Sequence, residues 1–298
     1  MNALLAFIAQ VLTVTPPLLF AALGGVVSER AGVATVALEG YLLGGAFTAV
    51  VLSLATHSVA LGLLATLAAG AAMGLVFALC VVGLRAQPIV AGVAFNVLMA
   101  SLTRVLLKVL YDSASNSPAL ATVTRAGAST GVASLVDAMA QPTLWLAPVA
   151  VLGLGWMFRD TVLGLRITAV GEHPRAAQTR GVSLSRVRTE ALVLGAMVAA
   201  LGGAALGLHQ RQFLAYMSGG RGFLALAAVI LGRWEPRRAA LWAVALGALQ
   251  ALEASLEGVV PVPSALLQAM PFALTLLVVS GKLGRARAPA ALGSSGEG

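Results

Sequence analysis

The chain has 298 residues, of which 59% are hydrophobic and 10% charged, and its formal net charge is +8. Soluble domains carry about 45–50% apolar and about 25% charged residues, and disordered chains are less apolar still, so a mean hydropathy of +0.94 excludes both classes. The apolar residues form continuous runs rather than the short alternating segments of a membrane β-barrel. The composition therefore predicts an all-α polytopic membrane protein, whose 33 glycines allow close helix packing.

A membrane-spanning helix needs about 20 mostly apolar residues, and about nine segments of the chain, within a range of eight to ten, meet this requirement. In chain order they are 4–27, 33–56, 58–84, 88–110, 142–158, 190–208, 213–232, 239–257 and 263–281. The seventh is interrupted by polar residues and glycines at 218–222. Residues 1–298 are thus predicted to form one transmembrane domain, with a polar loop at 159–190 and a disordered tail at 282–298.

Orientation follows from the basic residues, which concentrate in the cytoplasmic loops of membrane proteins. Loop 159–190 holds six arginines. If this loop is cytoplasmic, the alternation of spans places most of the 19 Lys and Arg residues on the cytoplasmic side. This arrangement predicts an N-terminus outside the cell, a C-terminus inside it, and an external segment at 111–141. It also accounts for the positive net charge without nucleic acid as a partner.

An internal repeat accompanies these spans. Residues 30–33 and residues 221–223 each lead into an apolar segment rich in small residues. Matching the two sites pairs spans one to four with spans six to nine and leaves the fifth between them. An offset of five spans reverses the direction through the membrane, so the pattern predicts an inverted-topology repeat. Transporters built in this way commonly have interrupted helices near the bilayer midplane.

Two polar residues lie deep within predicted spans. Glu39 occurs in an apolar run, where a carboxylate is costly and usually faces the interior of the bundle. It is either a contact of the transport pathway or a structural partner, for which Arg30 is the candidate. Asn96 lies in the middle of the fourth span, and its amide offers both a donor and an acceptor. It either contacts a polar substrate or joins two helices.

Nothing in the chain is typical of an enzyme. There is no P-loop and no Ser/His/Asp or HExxH arrangement. The only cysteine, Cys80, lies in an apolar run, and the three histidines lack the spacing of metal ligands. The sequence therefore predicts no catalytic residue, metal or cofactor. The inverted repeat and the buried carboxylates leave an ion-coupled secondary transporter of a small polar solute as the alternative function. Glu253 and Glu257, one helical turn apart, are either a proton relay or, because Glu257 lies close to Gly258 and Pro261, groups solvated at the outer interface.

Four segments resemble those of a known family. SERAGVATVALEGYLLGGAF (28–47), LRAQPIVAGVAFNVLMASLT (84–103), AVGEHPRAAQTRGVSLSRVR (169–188) and GGRGFLALAAVILGRWEP (219–236) occur in the family's order. They resemble permeases of bacterial ABC importers for nucleosides and related simple sugars, in a wider family that includes ribose and branched-chain amino acid permeases. The chain departs from the family pattern at 34–35, at Tyr41 and at His173.

A nucleoside has a flat base and a hydroxylated sugar, so its pathway needs an aromatic wall and a few polar groups. Within the resembling segments, five residues offer this chemistry. They are Glu39, Tyr41, Phe47, Asn96 and Phe223. At about 100° per residue, Tyr41 lies about 200° from Glu39 around a helix. Glu39 and Asn96 are therefore the first choices for the pathway, and Phe47, two turns beyond Glu39, is favoured as the aromatic residue.

The resemblance also implies partners in the plasma (inner) membrane of a bacterium. These are a separate ABC ATPase subunit, a second permease that is either another copy or a related chain, an extracytoplasmic substrate-binding protein and the lipid bilayer. The ATPase is expected to dock on a coupling segment at 171–177 within the 159–190 loop. The residues of that segment are Gly171, Glu172, His173, Pro174, Arg175, Ala176 and Ala177. Pro174, with an acidic residue two positions before it, is typical of a helix start.

Overall fold

A computed structural model describes residues 2–120, 131–257, 260, 263–280 and 288–293. Within these residues the chain forms twelve α-helices and one isolated antiparallel bridge, between Asn116 and Leu214. In chain order the helices are α1 (Asn2–Arg30), α2 (Leu38–Thr56), α3 (Val59–Ala78, continued by a π-helical turn at Leu79–Gly83), α4 (Pro88–Tyr111), α5 (Gly131–Met139), α6 (Pro142–Asp160), α7 (Val162–Glu172), α8 (Pro174–Thr179), α9 (Leu184–Gln210), α10 (Arg221–Leu231), α11 (Pro236–Leu256) and α12 (Ser264–Ser280).

Helix α9 is the centre of the bundle, and α1, α2 and α3 pack around it. It runs antiparallel to α1, because Gly24 lies against Gly195 whereas Pro17 lies against Gly202. The core between these helices is built largely of alanine and other small apolar residues. Small residues let helix backbones approach closely, which is how helices associate where lipid replaces water.

Several glycines of the bundle have no room for a side chain. A Cβ added at Gly203 of α9 would collide with the carbonyl of Leu42 on α2. One added at Gly70 of α3 would lie 2.7 Å from the Cα of Met197. The high glycine content therefore serves backbone contact between α9 and its neighbours.

Six helices of the described residues are long and apolar enough to cross a membrane. They are α1, α2, α3 with its π-helical turn, α4, α9 and α11. A seventh span results if α5 and α6, which meet at a bend of 57°, count as one. The all-α polytopic fold is confirmed, but the number of nine full spans is not, because α10 and α12 are shorter apolar helices.

The predicted span 213–232 is not a continuous helix. Residues 211–220 are non-helical, and α10 contains only 11 residues, which is about 16 Å of helix. The cause is local backbone geometry, because Tyr216, Gly219 and Gly220 have φ values of +62°, +53° and +82°. Residues in this left-handed region cannot continue a right-handed helix.

A similar break precedes α2. Helix α1 ends at Arg30, residues 31–37 are non-helical, and α2 begins at Leu38 rather than at residue 33. Each break thus joins the end of a long helix, α1 or α9, to the start of another helix, α2 or α10. Because α1 and α9 are antiparallel, the two units run in opposite directions, as the inverted repeat predicts.

The polar loop and the tail contain more structure than the sequence predicts. Within 159–190 the chain forms α7 and α8 and then enters α9 at Leu184, while Pro174 occupies the first turn of α8 as predicted. The tail is predicted to be disordered, but residues 288–293 form a turn whose Ala291 is only 3% exposed. The rest of the predicted tail, 282–287 and 294–298, lies outside the described residues.

We expect the glycine contacts around α9 to be essential for stability. Gly203→Leu places a side chain against the backbone of α2 and should lower the free energy of unfolding by about 1–3 kcal/mol, the usual cost of overpacking. The matched control is Gly153→Leu on α6, since a Cβ there meets nothing within 4 Å. Thermal unfolding of the purified protein in detergent measures both. Equal unfolding temperatures for the two variants would contradict the packing described here.

Candidate functional site

The start of α2 is held by a side chain from α4. Asn96 Oδ1 accepts a hydrogen bond from the Gly40 amide at 2.8 Å, and Asn96 Nδ2 donates one to the Val36 carbonyl at 2.9 Å. The first amides of a helix have no partner within the helix. Asn96 therefore joins α4 to the start of α2, which is the structural alternative of the two considered for this residue.

The start of α10 is held by Glu39 in the first turn of α2. Its Oε1 accepts a hydrogen bond from the Gly220 amide at 2.8 Å, and its Oε2 accepts one from the Gly222 amide at 2.7 Å. Gly222 must be a glycine here, because a Cβ would collide with the backbone amide of Glu39. The proposed pairing of Glu39 with Arg30 is not observed, since the guanidinium of Arg30 lies over the ring of Phe158 at 4.8 Å.

Two helix starts thus meet at Glu39. The N-terminal end of a helix carries a partial positive charge, so both α2 and α10 favour a negative group at this place. The Glu39 carboxylate is that group. Next to it, Arg221 interacts electrostatically with Glu39 and Glu253, and its guanidinium donates to the Met217 carbonyl at 3.1 Å.

The aromatic residues predicted for the pathway occupy different environments. Tyr41 is fully buried and packs against Phe77 and Phe95, with ring centroids 6.3 Å and 5.3 Å away. Phe47 is 9% exposed and stacks edge-on against Phe213.

Only Phe223 presents its ring at the surface, being 47% exposed, and it follows Gly222 directly. Of the five predicted pathway residues, the structure brings Glu39 and Asn96 together at the start of α2. It places Phe223 beside them at the start of α10.

Sequence reasoning missed a second carboxylate of this region, Glu29. It is 3% exposed, its Oε2 accepts a hydrogen bond from Trp234 Nε1 at 2.5 Å, and its Oε1 accepts one from the Thr35 amide at 3.4 Å. Glu29 therefore connects the end of α1, segment 31–37 and the residues that follow α10. Glu29 and Trp234 each lie in a segment with a family resemblance, but nothing in the sequence indicates that the two side chains meet.

The segment predicted to couple to the ATPase, 171–177, lies at the end of the bundle where α1 ends. Its Glu172, His173, Arg175 and Ala176 are exposed, Pro174 is half-buried, and Gly171 and Ala177 are buried. A cleft of about 730 Å³ borders it, lined by residues that include Arg85, Arg175 and Arg188.

The opposite end of the bundle has a second cleft, of about 950 Å³, lined by residues that include His57, Asp137 and Arg211. Among the described residues, no group of His, Cys, Asp or Glu is arranged to hold a metal ion.

Comparison with known proteins agrees with this architecture. The family model described as "Branched-chain amino acid transport system / permease component" matches residues 7–279. The chain is 33% identical over 300 residues to the guanosine ABC transporter permease protein NupQ of Bacillus subtilis, covering 93% of this chain and 92% of that protein. It is 32% identical over 312 residues to the nucleoside ABC transporter permease protein NupC of Lactococcus lactis, covering 98% and 96%.

A third relative is the putative glucose ABC transporter permease protein TsgC13 of Haloferax volcanii, 32% identical over 240 residues and covering 79% of this chain and 73% of that protein. All three relatives are transport components rather than enzymes. The family model and the first two relatives each account for nearly the whole chain. The chain therefore belongs to the ABC transporter permease family described as the branched-chain amino acid transport system permease component.

Proposed function

We propose that this permease moves nucleosides into the cytoplasm across a bacterial plasma membrane, driven by ATP hydrolysis on a separate subunit. The observation that carries the proposal is the similarity, over more than nine-tenths of the chain, to permeases named for guanosine and for nucleosides. Permeases named for glucose are also among the relatives, one 32% identical and covering 79% of this chain and one 28% identical and covering 92%. A simple sugar is therefore the related substrate class to test beside nucleosides.

The chemistry at the meeting point of α2 and α10 supports an uncharged substrate. Two helix starts pointing at one place attract anions, but the Glu39 carboxylate already accepts the Gly220 and Gly222 amides. An anionic solute would find these donors taken and a like charge in the way. A nucleoside has no such conflict, and its hydroxyls are able to donate to the carboxylate lone pairs that the amides leave free.

Two residues line the proposed pathway at this point, and a third, Asn96, holds one of them in place. Glu39 accepts substrate hydroxyls, Asn96 fixes the start of α2, and the exposed ring of Phe223 offers a face for the base to stack on. Tyr41 and Phe47 do not line the proposed pathway. They pack in the core, against Phe95 and Phe213 respectively.

The two ends of the bundle support the proposed orientation and partners. The end that carries α7, α8 and Arg85 is the cytoplasmic side in this proposal, where the ATPase docks on the coupling segment. The end that carries segment 111–120 then faces outward, toward the substrate-binding protein. A second permease, identical or related, completes the pathway, and the exposed apolar faces of α4 and α12 are available to it and to lipid.

The function and the role of Glu39 are tested together by uptake of labelled guanosine into proteoliposomes that hold the complete importer. We expect uptake that requires ATP, which separates this mechanism from an ion-coupled one. Glu39→Gln should lower uptake by about tenfold or more, because one amide donor of α10 then faces the NH₂ group and is left unsatisfied.

The matched control for this experiment is Glu190→Gln. Glu190 forms an exposed pair with Arg186 at 3.0 Å, so uptake should stay within about twofold of the unaltered protein. Full uptake by Glu39→Gln would remove Glu39 from the proposed pathway. Uptake of glucose but not guanosine would assign the chain to the sugar branch.

The proposed orientation is tested by single cysteines at two exposed serines, Ser115 and Ser185, in a Cys80→Ser background. A membrane-impermeant thiol reagent applied to intact cells should label Ser115→Cys and leave Ser185→Cys unlabelled until the cells are opened. The physical reason is the concentration of arginines near Ser185. The reverse labelling pattern would invert the topology.

A further inference from the structure

A short C-terminal segment, residues 288–293, returns to the bundle after α12. It forms a turn in which the Leu292 amide donates to the Pro289 carbonyl at 2.9 Å. Pro289 and Ala291 are buried, whereas Ala288, Ala290 and Gly293 are exposed. The Ala291 amide donates to the Gly171 carbonyl at 2.9 Å, so the turn is attached to the last turn of α7. The Gly171 carbonyl is one of the last four of α7, which have no hydrogen-bond partner within the helix.

Ala291 packs against two glycines, Gly32 and Gly171. A Cβ added at Gly32 would lie 2.7 Å from the Cβ of Ala291, so the alanine methyl occupies the space that Gly32 leaves empty. Gly32 has φ +82°, a conformation that favours glycine. Gly171 in turn packs directly on the backbone carbonyl of Arg30, where no Cβ fits. The end of α1, the end of α7 and the C-terminal turn therefore meet at one junction.

This junction adjoins the coupling segment. Glu172 and His173 follow Gly171 directly and are exposed.

We propose that the 288–293 turn is a positioning element for the coupling segment. By binding Gly171 and filling the space beside Gly32, it fixes the end of α7 against α1. A displacement of α8 by the ATPase is then carried through α7 to the end of α1. The proposal rests on the proposed function only for the identity of the docking partner, the ATPase subunit. Ala291 and the turn touch no substrate and act through α7.

The test compares Ala291→Arg with Ala290→Arg in the complete importer. The first variant puts a charged side chain into a buried position and should release the turn, whereas the second adds the same charge at an exposed neighbour. Hydrogen–deuterium exchange of the peptides covering 288–293 and 169–177 measures the release and its effect on the coupling segment. We expect exchange in both peptides to rise by about tenfold in Ala291→Arg and to stay unchanged in Ala290→Arg.

The functional readout is the number of ATP molecules hydrolysed per substrate molecule transported. It should rise several-fold in Ala291→Arg, because hydrolysis continues while its coupling to transport weakens. A second variant, truncated after Ala288, removes the turn outright if Ala291→Arg fails to fold or to release it. Unchanged exchange at 169–177 and an unchanged ATP ratio in the truncated chain would overturn the proposal.

These readouts separate the two proposals. If the importer transports no nucleoside, the substrate assignment fails. Exchange at 169–177 and copurification of the ATPase with the truncated chain then still decide whether the turn positions the coupling segment. If 169–177 stays protected from exchange and the ATPase still copurifies, the turn does not position the coupling segment. Loss of both would support that role.

Discussion

The hydrogen bonds from the Gly220 and Gly222 amides to the Glu39 carboxylate hold two interrupted helices together in an apolar bundle. Backbone polar groups without water must find partners inside the protein, and each unsatisfied group costs several kcal/mol. Each interruption of a helix therefore requires a side chain that binds the exposed amides. Asn96 does this for α2, and Glu39 does it for α10. Glu29, with Trp234, secures the far end of α10.

The rest of the bundle provides the conditions for these contacts. Glycines allow α9 to contact α1, α2 and α3 through their backbones, which brings the two interrupted units side by side. Gly222 lacks the Cβ that would push α10 away from Glu39. Close packing at glycine recurs beside Ala291, where neither Gly32 nor Gly171 has room for a Cβ. Small residues thus determine which polar groups meet.

Much of this architecture could be predicted from the sequence, because apolar length alone identifies a spanning helix. Six of the predicted spans appear as long helices, and Pro174 begins a helix as its fixed φ implies. Hydropathy does not detect a helix break when the residues on both sides of the break are apolar. That is why segment 213–232 reads as one span although positive φ values at Tyr216 and Gly220 break it.

The partners of the polar residues were harder to predict. Glu39 binds amides about 180 residues away in the chain, whereas the sequence offers Arg30, nine residues before it, as the nearest candidate partner. Glu29 gives no such signal in the sequence, because it stands next to an arginine at the end of an apolar run, where charged residues are common. Its hydrogen bond to Trp234 depends on the packing of α1 against α10, which no local pattern reports.

In the proposed pathway, substrate passes the start of α10, where Glu39 binds the Gly220 and Gly222 amides. The most direct measurement is the labelling rate of Phe223→Cys by a small, charged thiol reagent in the complete importer, in a Cys80→Ser background, with and without nucleoside. Phe223 is half-exposed beside Gly222, so we predict that the cysteine reacts and that nucleoside slows the reaction, while Ser115→Cys reacts at the same rate in both conditions. A Phe223→Cys rate that is insensitive to nucleoside, in an importer that transports it, would contradict the account.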